Sequence, residues 1–173
     1  MKNIALLAIL LFSTAILIAG VTMNYSLETP KIEAKEQYTK VSLEKAQSWG
    51  QPGNPDLPWL GIKLLLPAGF EAEKIVVNRY NPVTYTLDKP IAPIQRQYPF
   101  SHIILETPDK PNAEVYDSPL PYPQNTDNGL ITSFMCGQPI AFSAISPLSY
   151  YPINNVLIFY RQIINFTYDR IHV

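Results

Sequence analysis

The stretch from Leu148 to Tyr168 constrains this chain more than any other. After Pro152 the pair Asn154-Asn155 predicts a turn, because Asn tolerates left-handed backbone angles, and a long β-branched and aromatic run follows. That run predicts a strand. Taken two residues apart, Val156, Ile158, Tyr160, Ile164, Phe166 and Tyr168 share one side, interrupted only by Gln162, while Arg161, Asn165 and Asp169 belong to the other. The first side is expected to be buried and the second half wet. One strand cannot bury an apolar face alone, so earlier segments must supply partner strands or a second sheet.

Composition sharpens this into a fold class. Seventeen prolines against seven glycines, with eleven tyrosines, favour short strands joined by Pro-containing turns, because Pro breaks helix interiors and aromatic rings suit pleated surfaces. The expectation is an all-β fold: a sandwich-like antiparallel domain, single at this length of 173 residues once a targeting segment is set aside. A formal net charge of -1 offers no concentrated basic field, so neither nucleic acid nor an anionic membrane surface is expected as a partner. Cys136 is the only cysteine, which leaves no intrachain disulfide and makes the core responsible for stability.

Met1-Lys2-Asn3 followed by the apolar run Ile4 to Ile18 predicts a secretory signal over residues 1–20, with cleavage near Gly20. Uncleaved, the stretch from Ile4 to Met23 is long enough to stay as a membrane anchor, since a spanning helix needs about 20 residues. Export is therefore expected, to the medium, the cell surface or the periplasm of a bacterium. Residues 21–40 read as a polar leader, and weak alternation through Tyr38, Val41 and Leu43 predicts a first edge strand. A short helix around Ala34, Lys35 and Glu36 is the alternative there.

The turn formers from Gly50 to Pro58 predict a loop feeding a buried strand, Trp59 to Leu66, which Pro67-Ala68-Gly69 ends. Glu71 to Tyr80 and, more weakly, Pro82 to Leu87 are the next strands, expected as consecutive antiparallel pairs. From Asp88 to Pro123 eight prolines punctuate an extended, surface-hugging segment in which His102 to Glu106 alone has strand character. Proline lowers the ordering entropy of such a segment, so it can present one conformation to a partner; a plain connection between sheets is the competing reading. Leu130 to Phe134 and Ile140 to Ile145 complete the strands.

Nothing in the sequence assembles into chemistry. His102 and His172 have no His, Cys or carboxylate at metal-ligand spacing, and neither a Gly-x-Ser-x-Gly elbow nor a phosphate loop occurs. No cofactor or metal is expected. A nucleophile and base would have to come from Cys136 and His102, and Cys136, at a strand end beside Gly137, reads instead as a buried inert thiol. Asp109, Glu114 and Asp117 read as solvated loop carboxylates, and the tripeptides Asn24-Tyr25-Ser26 and Asn165-Phe166-Thr167 as accidental matches to a glycosylation pattern.

Three ordered stretches resemble the propeptide domain of the gingipain-type (family C25) cysteine peptidases. They are Gly53-Asn54-Pro55-Asp56-Leu57-Pro58 with Ile62 to Pro67 and Gly69; Ile91-Ala92-Pro93-Ile94-Gln95 with Val115-Tyr116-Asp117-Ser118 and Pro121-Tyr122-Pro123; and Ile145 to Pro152 with Leu157 and the long strand to Tyr168. The resemblance covers roughly Val41 to Tyr168, within an expected propeptide domain over residues 41–173. It implies a β-sandwich-like pro-domain that assists folding of a C25-type catalytic domain, its partner, and blocks the active site until cleaved. In that family a pro-domain loop approaches the substrate cleft and some members cleave after Arg or Lys. Arg96 and Lys110 are the basic residues of the matching region, Arg96 first because it follows the Ala-Pro-x-Gln stretch, with two solvated loop charges as the plain alternative.

The chain stops at Val173 without the family's catalytic His and Cys, so the resemblance implies a pro-domain without its enzyme, as a truncated, split or trans-acting product. The alternative function is an exported structural or adhesion β-module with no peptidase partner. An enzyme in its own right ranks last, because the groups needed for acid-base or nucleophilic work are scarce and unclustered.

Overall fold

The computed structural model describes residues 20–97 and 109–171. It is built of strands: β1 (Gly20–Ser26), β2 (Lys31–Ala34), β3 (Thr39–Ser42), β4 (Ala46–Ser48), β5 (Pro58–Leu65), β6 (Phe70–Thr86), β7 (Ile131–Met135), β8 (Gln138–Ile145), β9 (Leu148–Tyr151) and β10 (Val156–Ile171), with one helical turn, α1 (Ala113–Tyr116). β10 is the spine of the first sheet. It pairs antiparallel with β6 along one side, from Val156 opposite Thr86 to Ile171 opposite Phe70. Along the other side it pairs first with β9 (Phe159 opposite Leu148) and then with β1 (Ser26 opposite Gln162). The second sheet has the order β4-β5-β8-β7, and β2 and β3 form a separate hairpin. All these ladders are antiparallel.

Both sheets feed one apolar cluster. Leu60, Ile62, Leu64, Ala141 and Ile145 of the second sheet join Ile75, Leu148, Tyr150, Leu157, Phe159 and Ile163 of the first, with Val41, Leu57 and Ile91 closing it. Each fully buried side chain of this kind contributes about 1.5–3 kcal/mol of transfer free energy. The turns follow their residue types. Asn155 has φ 48 and Gly69 φ 79, and the two-residue β7–β8 turn has φ 51 at Cys136 and φ 77 at Gly137, the left-handed pair that a tight hairpin requires.

Four expectations change. The core side of β10 is the opposite one: Leu157, Phe159 and Ile163 are buried, while Val156, Ile158, Tyr160, Gln162 and Ile164 are half-buried and Arg161 is exposed. Leu157 and Phe159 lie in register with Tyr150 and Leu148, so β9 fixes which side faces inward; for Asn165, Phe166, Tyr168 and Asp169 only the backbone is described. Glu71 to Tyr80 and Pro82 to Leu87 are not a pair but the single strand β6, which goes to a different sheet from β5. Pro82 is tolerated inside it because β6 is an edge strand, where a missing N–H leaves no ladder bond broken on the open side. Residues 20–42 hold three strands where a polar leader and one edge strand were expected. Cys136 is exposed, not buried, because it occupies the tip of the β7–β8 turn.

His102 to Glu106, His172 and most of the apolar run from Ile4 lie outside the described residues. Among the described residues no helix is long and apolar enough to cross a membrane.

Candidate functional site

Residues 89–94, in the proline-rich segment, lie outside regular sheet, and their backbone is nevertheless tied at nearly every step. Thr39, at the start of β3, donates its N–H to Pro90 O (2.7 Å) and accepts at its own O from Ala92 N–H (2.9 Å), while its hydroxyl donates to Lys89 O (2.9 Å). One residue further, the segment turns its other edge to the Gly53–Asp56 loop. Asp56 N–H donates to Ala92 O (2.8 Å), Ile94 N–H to Asn54 O (2.8 Å) and Gly53 N–H to Ile94 O (2.9 Å). Residues 89–94 thus act as an irregular strand laid between β3 and that loop, although Pro90 and Pro93 supply no donor.

Tyrosines hold it from beneath. Tyr116, on α1, donates its hydroxyl to Ile91 O (2.7 Å), and Ile91 N–H points to the Tyr150 hydroxyl at 3.4 Å, which in turn donates to Asn155 Oδ1 (2.8 Å). Tyr122 and Tyr150 exchange backbone bonds of 2.7 and 2.8 Å. Burial pushes the phenols of Tyr116, Tyr122 and Tyr150 above their ordinary range; for Tyr116 the neighbouring Tyr150, Tyr38, Tyr122 and Asp56 add to it. α1 is fixed by Asn112, whose side chain accepts from Glu114 N–H (3.1 Å) and donates to Asn54 Oδ1 (3.1 Å).

Close approach demands glycine at two points. Gly50 has φ 148, and a Cβ there would lie 2.7 Å from Ile94 Cδ1; Gly53 has φ 88, and a Cβ would lie 2.9 Å from Lys110 O.

The segment carries both basic residues singled out in the sequence, and the structure treats them differently. Arg96 donates its backbone N–H to Asp109 Oδ2 (2.7 Å) and its guanidinium to Asp109 Oδ1 (3.3 Å). Gln95 completes the set: its Oε1 accepts from Asp109 N–H (2.9 Å), and its Nε2 donates to Pro93 O (3.0 Å) and Asp109 O (3.3 Å). Asp109 is therefore a bonded carboxylate, where a solvated one was expected. Lys110, the next residue, is exposed, and among the described residues its ammonium has no ion pair or hydrogen bond. Sequence reasoning reached Gln95, Tyr116, Tyr122 and Tyr150 only as parts of matching stretches and Asp109 only as a loop carboxylate, and the bonds they make were not foreseen.

A second feature lies on the outer side of the β4-β5-β8-β7 sheet. Leu65, Ile131, Phe134 and Met135 are exposed there, and an open cavity of about 500 Å³ is lined by Trp49, Trp59, Gly61, Phe142, Lys45 and Lys63, among others. Among the described residues no group of three His, Cys, Asp or Glu is placed to hold a metal ion.

Comparison with known proteins gives the following. The sequence model of the family Propeptide_C25 matches residues 21–172. No curated protein matches the chain. Among solved structures, the chain is similar to one described under the zymogenic latency of gingipain K from Porphyromonas gingivalis, with a TM-score of 0.74 at 20% identity, covering 87% of each chain. It is also similar to a chain in the complex of the Porphyromonas gingivalis RgpB pro- and mature domains, with a TM-score of 0.72 at 14% identity, covering 87% of this chain and 78% of that one. At these identities the likeness is one of fold.

Proposed function

This chain belongs to the Propeptide_C25 family, and on that premise we propose that it is an exported bacterial pro-domain that assists folding of a C25-type cysteine peptidase catalytic domain and inhibits it. The single observation that carries the reading is the family match, which runs through both sheets and the proline-rich segment alike. The fold likeness to pro-domain structures supports it, as do the backbone bonds that hold residues 89–94 before any partner arrives, which lowers the entropy cost of binding there. Binding is assigned to the face that carries Arg96 and Lys110, directed at the partner's substrate cleft. The chain itself is read as the non-enzymatic partner of that catalytic domain.

The experiment is inhibition of C25-type catalytic domains, those of gingipain K and RgpB included, by the purified protein, with refolding of each denatured catalytic domain in its presence and absence. Inhibition at micromolar concentration or below, with a higher yield of active enzyme on refolding, is the expected result. A folded protein that neither inhibits, forms a complex, nor improves refolding would leave the structural β-module reading in its place.

A further inference from the structure

The groove on the outer side of the β4-β5-β8-β7 sheet holds a buried group that the fold leaves unsatisfied. Alternation along β5 sends Leu60, Ile62 and Leu64 into the core and leaves Trp59, Gly61 and Lys63 on the outer side. Trp59 is nonetheless only 6% exposed, and its indole Nε1 is shielded without an acceptor. A buried donor left unpaired costs stability, and among the described residues no other buried side-chain polar atom is left so. We propose that this groove binds an acidic oligosaccharide, with Trp49, Trp59 and Phe142 as its stacking surface, the Trp59 N–H as a donor to the sugar and Lys63 as the partner of its carboxylate. The inference does not depend on the pro-domain reading.

Shape, polar groups and charge select the occupant. Small residues open a channel across the strands: a Cβ at Gly61 would meet nothing within 4 Å, and Gly61 stands opposite Ala144 on β8. The cavity of about 500 Å³ suits a small ligand. A sugar ring fits this lining because its C–H face packs on flat apolar rings while its hydroxyls reach donors and acceptors at the edge. Those edge groups are already oriented. Asn128 Oδ1 accepts from Ala144 N–H (2.6 Å), which leaves the amide NH2 to donate, and the Ser143 hydroxyl donates to Gly129 O (2.7 Å), which leaves its oxygen to accept. An extended peptide binds a sheet chiefly through the backbone of an edge strand, whereas this groove crosses β5 and β8, the two inner strands. No carboxylate lines it. Those beside it in sequence are engaged, Glu44 with Lys45 (3.5 Å) and Asp127 with Gly129 N–H (3.1 Å). Lys63 has no ion pair or hydrogen bond among the described residues, so its charge selects an anionic sugar over a neutral one.

Trp49 and Trp59 are the only tryptophans of the chain and both line the groove, so indole signals report on this site alone. Tetragalacturonate, a chondroitin sulfate tetrasaccharide, the neutral methyl ester of tetragalacturonate and tetraglutamate are each titrated into the purified protein, read by tryptophan emission and by the indole N–H resonances. At least one acidic sugar is expected to change the emission saturably and to move the Trp59 N–H resonance downfield as it gains an acceptor. The methyl ester is expected to bind roughly 10-fold more weakly, and tetraglutamate not at all. Trp59→Phe, which keeps a ring and removes the N–H, weakens binding roughly 10-fold. Lys63→Gln removes the preference for acid over ester. Gly61→Val fills the channel with a residue suited to a strand and abolishes binding, while its urea midpoint stays near that of wild type. Failure of both acidic sugars to bind, tetraglutamate binding as tightly as they do, or binding unchanged in a folded Gly61→Val would each overturn the proposal. No peptidase enters these titrations, so their failure leaves the pro-domain reading untouched.

Discussion

Residues 89–94 and the edge strand β7 are held in opposite ways. The first has almost no regular secondary structure, yet Ile91 is fully buried and the backbone on either side of it is bonded to β3, to the Gly53–Asp56 loop and to two tyrosines. The second pairs regularly with β8 across a tight turn, yet Ile131 is 69% exposed, and Leu65, on β5 at the far side of β8, 67%. Regular pairing is thus no guide to how firmly a segment is fixed. What fixes a segment is burial on one side and satisfied polar groups on the other, and proline-rich chain can have both.

Substitutions can test that contrast. The largest expected effect is at Ile91→Ala, which removes a fully buried side chain and is expected to cost about 2–5 kcal/mol in urea denaturation; a loss below 1 kcal/mol would mean that the segment only rests on the surface. Gly53→Ala comes next, with about 1–3 kcal/mol expected, since it combines φ 88 with a contact to the backbone at Lys110 O. Tyr116→Phe deletes one bond to Ile91 O and is expected to cost about 1 kcal/mol, read by the same titration.

Alkaline pH tests the tyrosines as a group. With folded-state phenols raised above 10.0, both states stay protonated below that pH and stability does not depend on these groups. As pH rises past 10.0 the unfolded chain releases protons that the folded one retains, so stability falls, more gently in Tyr116→Phe than in wild type. Thermal melts between pH 8 and 11, as rough limits around that value, measure it. The smallest effect belongs to the exposed face of β7: Ile131→Thr is expected to change stability by less than about 0.5 kcal/mol in the urea titration. A loss of several kcal/mol there would show that this face is packed after all.

Much of the sheet was legible because its turns are written in local chemistry. Pro67-Ala68-Gly69 and Asn154-Asn155 each announce a chain reversal at the observed place, and the strands they bound follow. The inward side of β10 was not legible, because Val156, Ile158 and Tyr160 are as apolar as Leu157 and Phe159, and alternation with both sides apolar leaves parity undefined. Only pairing with β9 resolves it. Pro82 read as a boundary, since a sequence does not reveal that its strand lies at a sheet edge. At the candidate site, Arg96 and Lys110 were visible as charges and Asp109 as a loop acid. The bonds from Asp109 to Gln95 and Arg96 were not visible, because they span 13–14 positions and depend on how the segment is laid down.

β10 lies at the centre of its sheet and is the last strand in the described chain. Asn24 and Gln162, whose side chains meet across β1 and β10, stand 138 positions apart. A polypeptide made from its N-terminus therefore exposes β1 and β6 until β10 follows, with no neighbour between them to complete the sheet. This sheet cannot be completed before β10 is made, and pairing over such separations is slow. Until β10 has been made, the strands it joins depend on whatever keeps unpaired strands from finding one another.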